Sequence, residues 1–115
     1  EMFRIMRLRY GNKEPIAVEK SYIVWELAKD LSEEDVHNKS LYETLKKKYR
    51  LSIAHSSHRV SVVYANGLEA ELLKVSPSKP LIKYQGLVYE KKGRLLEYFE
   101  TILRSDKIEF IIQRD

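Results

Sequence analysis

The sequence predicts an α+β domain: an antiparallel sheet with helices packed on one side. Three observations lead there. The chain opens on two β-rich runs around a break of turn formers, Gly11 to Pro15. Its middle carries two helix-start signals, at Ser32 and Ser40. Its last third reads as three strands in succession, separated by Lys91-Lys92-Gly93 and by Ser105-Asp106. Strands joined by short turns pair antiparallel, and intervening helices bury their apolar stripes on the sheet.

Taken in order, Phe3–Ile23 is a hairpin with a five-residue loop. That register sets Tyr10 opposite Ile16, Leu8 opposite Val18 and Arg7 opposite Glu19. Alternation puts Met6, Leu8, Tyr10, Ile16 and Val18 on a core face. Phe3, Ile5, Arg7 and Arg9 share the other face with Ala17, Glu19 and Ser21. Trp25–Leu31 is short helical or irregular chain. Ser32, followed by Glu33, Glu34 and Asp35, caps a helical turn whose acidic residues favour the helix dipole. Ser40-Leu41-Tyr42-Glu43 reads as a full capping box, with Leu41, Leu45 and Tyr49 at helical spacing as far as Arg50. Ile53–Ala65 is a long strand and Leu68–Lys74 a short helix burying Ala70, Leu72 and Leu73. Leu81–Glu90, Leu95–Arg104 and Lys107–Gln113 complete the strands.

With 115 residues the chain makes one domain large enough for a real core. No apolar run approaches the roughly 18 residues of a spanning helix, so no membrane partner is expected. The absence of cysteine removes disulfides, thiolate metal sites and thiol catalysis, and favours the cytoplasm. Net charge is +4 and the pI about 9.2, but the charge is spread. The densest cluster, Lys46-Lys47-Lys48, lies on a helix with Glu43 and reads as solvated surface. This segment is therefore not expected to read DNA itself.

No nucleophile motif, glycine-rich phosphate loop or dinucleotide fingerprint is present, and no cofactor is implied. His55 and His58 fall on opposite strand faces and His37 has no partner at ligand spacing, so no metal site is expected. An anion must then be held by side chains and helix ends. Arg7 and Arg9 are spaced by roughly 6.6 Å and point the same way, which suits two forks closing on one phosphate or carboxylate. The plainer alternative is a basic face with a cross-strand Arg7–Glu19 pair. Ser40, at a helix N-terminus, offers backbone N–H groups to an anion. Tyr42 either adds its hydroxyl there or packs in the core. Glu19 and Glu97 are two carboxylates able to grip hydroxyl or amino groups of a polar ligand, or to form an acid/base pair.

The stretch 7–22 (Arg-Leu-Arg-Tyr-Gly-Asn-Lys-Glu-Pro-Ile-Ala-Val-Glu-Lys-Ser-Tyr) resembles the core pattern of the UTRA domain. That domain is the effector-binding half of GntR-type bacterial transcription regulators of the HutC subfamily. Four further stretches match in order: Ser40–Glu43; Ala70–Val75 with Pro80-Leu81; Glu97-Tyr98; and Arg104–Asp106 with Phe110. The resemblance implies a chorismate-lyase-like fold in a homodimer whose pocket takes a small anionic effector, a phosphorylated sugar by class. It implies that Arg7, Arg9, Ser40 and Tyr42 hold the phosphate and that Glu19 and Glu97 hold the sugar. No catalytic residue is expected; the alternative is a chorismate-lyase-like enzyme acting on a small carboxylate. Three departures accompany the match. The winged helix-turn-helix that contacts operator DNA is expected to lie outside this stretch, and the start of the effector domain is expected to lie upstream of Glu1. An aromatic pair before the closing arginine is Ile102-Leu103 here, which removes hydroxyls near the pocket.

Overall fold

The computed structural model describes every residue except Asn38, Phe110, Ile112, Arg114 and Asp115. Among the described residues, five strands form one antiparallel sheet: β1 (Met2–Gly11), β2 (Glu14–Val24), β3 (Ile53–Tyr64), β4 (Pro80–Glu90) and β5 (Leu95–Arg104). Their spatial order is β1-β2-β5-β4-β3, so β1 and β3 are the edges. The described residues also form three helices, α1 (Glu33–Val36), α2 (Leu41–Tyr49) and α3 (Gly67–Leu73), with a 3-10 turn at Trp25–Leu27.

The first hairpin keeps the expected pairs Arg7 with Glu19 and Leu8 with Val18, but its turn is tighter than expected. Asn12 and Lys13 both take positive φ, 49° and 68°, as a two-residue turn with the right-handed twist of its strands requires. Tyr10 therefore pairs with Pro15 rather than Ile16, and the register shifts between Arg9 and Tyr10. The extra residue is absorbed as a bulge, where a proline without an N–H is tolerated.

Alternation along β2 buries residues of both parities, Ala17 and Ile23 on one face and Val18 on the other. Each face consequently needs cover, and the helices divide between them instead of sharing one side. Ile23 and Leu96 join Ala28, Leu31, Val36, Leu45 and Leu51 beneath α1 and α2, with Phe3 and Ile5 packed alongside. Val18, Ile102 and Leu81 join Ala65, Ala70 and Leu73 under α3. Of the residues expected to form the core face of the first hairpin, Val18 is buried and Leu8 and Ile16 partly so. Met6 and Tyr10 are exposed, because α3 roofs only the Val18–Ile102–Leu81 end of that face.

The caps also differ from expectation. The complete capping box belongs to Ser32 and Asp35 at α1, whereas Ser40 only accepts from the Glu43 N–H. Asp35 then ties the two helices together: its carbonyl accepts from Thr44 Oγ1 at 3.0 Å and its carboxylate meets Lys48 Nζ at 2.7 Å. Lys48 holds the Asp35 carboxyl down at about 2. The expected strand at Lys107–Gln113 does not form among the described residues there; Lys107 is in a turn, and Ile108, Glu109, Ile111 and Gln113 have no regular structure. β5 already lies between β2 and β4, so a strand following it finds no free edge beside it.

Candidate functional site

Between the sheet and the α1–α2 connection lies a cavity of about 1060 Å³. All six residues singled out in the sequence line it: Arg7, Arg9, Glu19, Ser40, Tyr42 and Glu97. The pairing explains why. Arg7, Glu19 and Thr101 are neighbours across β1, β2 and β5, and Ser21 and Phe99 follow two residues along on the same face. Glu97 is two further on, opposite Val88 of β4. The start of α2 brings Ser40, Leu41 and Tyr42 over this floor.

The two arginines have different partners. Arg7 Nη2 donates to the carbonyl oxygens of Val36 at 2.7 Å and Lys39 at 3.3 Å, anchoring the end of α1 to the sheet. Arg9 Nε donates to Glu19 Oε1 at 2.8 Å. The carboxylate directly opposite Arg7 thus pairs with its diagonal neighbour, and the expected Arg7–Glu19 ion pair is replaced by Arg9–Glu19. A guanidinium carries five N–H donors, so neither fork is saturated by these bonds.

Glu97 is 2 % exposed, the deepest charge-bearing group in the cavity wall. Tyr42 donates its hydroxyl hydrogen to Glu97 Oε1 at 2.5 Å, and Ser21 Oγ donates to Oε2. Burial pushes the Glu97 carboxyl above its ordinary value, with Glu19 adding to the rise and the two hydroxyl donors opposing it. Burial and the Glu97 hydrogen bond raise the Tyr42 hydroxyl in turn. Of the alternatives open for Tyr42, the hydroxyl points to the pocket floor and is held by a carboxylate there.

Of the Ile102-Leu103 pair, Ile102 is buried under α3 on the opposite face. Leu103 lies on the other face, in register with Ala17 and Arg9, so of the pair only the Leu103 position shares the cavity's side of the sheet. His55 stacks on Tyr89 with ring centroids 4.7 Å apart, while His58 lines the cavity, so the two do fall on opposite faces. Phe110, quoted for the closing match, lies outside the described residues. Three cavity residues without a local sequence signal are His58, Tyr84 and Phe99. They meet only through long-range pairing, His58 with Gly86 and Gly86 with Phe99.

The family model for the UTRA domain matches residues 1–109. The chain belongs to the UTRA domain family. Among curated relatives, the HTH-type transcriptional repressor NagR of Bacillus subtilis is 26% identical over 112 residues, 97% of this chain and 46% of that protein. The probable fructoselysine utilization operon transcriptional repressor of Escherichia coli is 21% identical over 112 residues, 97% of the chain and 46% of the repressor. The chain thus spans about half the length of the curated relatives it matches. The crystal structure of a GntR-family transcriptional regulator from Enterococcus faecalis superposes with a TM-score of 0.89 at 26% identity, covering 98% of this chain and 81% of that one. These UTRA neighbours share the chorismate-lyase-like sheet, and they are transcription regulators rather than enzymes. Among the described residues no helix is long and apolar enough to cross a membrane.

Proposed function

We propose that this UTRA domain is the ligand-sensing and dimerisation part of a cytoplasmic bacterial transcription regulator. Its effector is a small anion, a phosphorylated sugar by class, and DNA is contacted through another part of the full-length protein. The observation that carries this is the shared cavity. Two guanidiniums and the first turn of α2 line one end, and two carboxylates line its floor. A sugar phosphate has matching polarity, with a dianionic end for the arginines and hydroxyls that donate to Glu19 and Glu97. The sugar-related name of the fructoselysine repressor supports the same class.

The Arg7 contacts suggest how binding is felt at a distance. An anion competing for the Arg7 fork acts against its bonds to the Val36 and Lys39 carbonyls. Occupancy and the position of the α1–α2 connection are then linked. The ligand shifts the equilibrium only by its unequal affinity for the two arrangements. The edge strand β3 supports the homodimer, with Val60, Val62 and Tyr64 exposed along a 12-residue unpaired edge.

Calorimetric titration with glucose 6-phosphate and glucosamine 6-phosphate tests the anion clamp. The Arg7→Ala/Arg9→Ala double variant is expected to remain folded by circular dichroism and to lose binding. Unchanged affinity in that variant would refute the clamp.

A further inference from the structure

The cavity wall on the β5-β4-β3 side of the sheet is aromatic. Phe99 on β5 lies across β4 at Gly86, where a Cβ would fall 2.6 Å from the Phe99 ring and 2.6 Å from the Ser57 carbonyl oxygen. A glycine inside a strand marks such a close approach. The Phe99 ring centroid is 5.3 Å from that of Tyr84 and 5.7 Å from that of His58, and Tyr84 and His58 are 5.3 Å apart. The interplanar angles of 60°, 71° and 39° make this a corner rather than a stack. Its rim is polar: His58 Nε2 is 2.6 Å from Ser56 Oγ, and His58 Nδ1 is hydrogen-bonded to the Tyr84 hydroxyl.

Position and size give the corner a role. Arg7 and Arg9 sit on β1, and Tyr84 on β4 is three strands away in the order β1-β2-β5-β4. At about 4.8 Å per strand that is roughly 14 Å. His58, on β3, is a fourth strand away, roughly 19 Å at the same spacing. A monosaccharide phosphate anchored at the arginines therefore runs over Phe99, which lies between Thr101 and Glu97 on β5, and stops short of the His58 side of the corner. The cavity, at about 1060 Å³, lies at the top of the range of roughly 300–1,000 Å³ that encloses drug-sized ligands. Ring faces edged by hydroxyl and imidazole groups suit a flat apolar surface bordered by polar atoms.

We propose that His58, Tyr84 and Phe99 form a second subsite, selecting a sugar phosphate that carries a further flat-faced group. An aromatic aglycone and a second pyranose ring both present that surface. The inference rests on the anion clamp proposed above, and it makes these three residues determinants of specificity rather than of anchoring.

Titrations with glucose 6-phosphate, 4-nitrophenyl β-glucoside 6-phosphate and cellobiose 6-phosphate test it and separate the two sources. At least one extended ester is expected to bind about tenfold more tightly than glucose 6-phosphate, the size of one well-placed ring contact. His58→Ala and Phe99→Leu should each bring that ratio towards one, whereas Arg9→Ala weakens all three esters alike. His58 is exposed, so its variant reports on the subsite even if Phe99→Leu perturbs the sheet. Binding of glucose 6-phosphate with no gain from either extension, or a gain that survives both substitutions, overturns the subsite and leaves the clamp standing. No saturable binding of any ester overturns both.

Discussion

The two faces of the sheet are built from the same strands and end differently. Under α3 the contacts are apolar, with Val18, Leu81, Ile102, Ala70 and Leu73 closing a dry core. Under α1 and α2 the apolar cluster stops at Ile23 and Leu96, and beyond it the floor turns polar through Ser21, Glu19 and Glu97. The distinction comes from how the helices are attached. α3 follows β3 directly through Ala65 and Asn66 and lies on the sheet by hydrophobic burial. The α1–α2 connection is held by polar bonds, Arg7 to two backbone carbonyls and Tyr42 to Glu97. Val36 and Leu45 still seat α1 and α2 on their own apolar cluster, and the polar bonds hold the connection out over the floor beside it, where the space remains.

The largest test of that contrast is Leu73→Ala. Leu73 is 0 % exposed in the dry core, and truncating such a leucine costs about 2–5 kcal/mol because the surroundings collapse only partly. Urea unfolding monitored by tryptophan fluorescence or circular dichroism should show a lower midpoint with an unchanged slope. A loss well under 1 kcal/mol would mean that α3 is not seated as described.

Next in size is the difference between the two arginines. Arg7→Ala removes charge-assisted bonds to two carbonyls and is expected to cost about 1.5–3 kcal/mol. Arg9→Ala breaks an ion pair whose partners are 50% and 36% exposed, which solvent screening limits to about 0–1 kcal/mol. Hydrogen exchange should localise the Arg7→Ala effect to residues of the α1–α2 connection. Equal losses from the two substitutions, or exchange unchanged there, would remove the separate anchoring role of Arg7.

Much of this was legible in the chain itself. Alternation set both arginines on one face with Ser21, because nothing between Phe3 and Arg9 disturbs the pleat, and the expected Arg7–Glu19 register is met because the bulge at Ile16 offsets the tighter turn. What failed has local causes. The bulge at Ile16 is invisible in a run of β formers, and it shortened the loop that Gly11 and Pro15 had marked. Ala17 and Val18 are adjacent, both apolar and both buried, so no periodicity says which face a helix will cover. The aromatic corner was the hardest to see, since Phe99 and His58 meet only across β4. Gly86, isolated in a strand pattern, was the available sign. The full capping box was read at Ser40 and is found instead at Ser32, where the Asp35 carboxylate that closes it is also held by Lys48.

The subtlest effect is on pH dependence, and it isolates the wet face. The Glu97 carboxyl is raised in the folded protein, chiefly by burial, so the native state keeps that proton to higher pH than the unfolded chain does. Its contribution to stability is full below the ordinary value near 4.5 and is lost as pH rises through the folded value. Asp35, Glu90 and Asp106 act with the opposite sign. Lys48, Arg94 and Arg104 respectively hold them down to about 2, so their contributions fade as pH falls from about 4 to 2. Those three are common to wild type and Glu97→Gln and cancel when the two stability profiles are subtracted. Glutamine keeps an acceptor and a donor beside Ser21 and Tyr42 without a titrating proton. The difference, wild type minus Glu97→Gln, should therefore fall as pH increases above about 4.5. A flat difference would place the Glu97 carboxylate in effective contact with solvent, and a rising one would mean that its hydroxyl donors outweigh its burial.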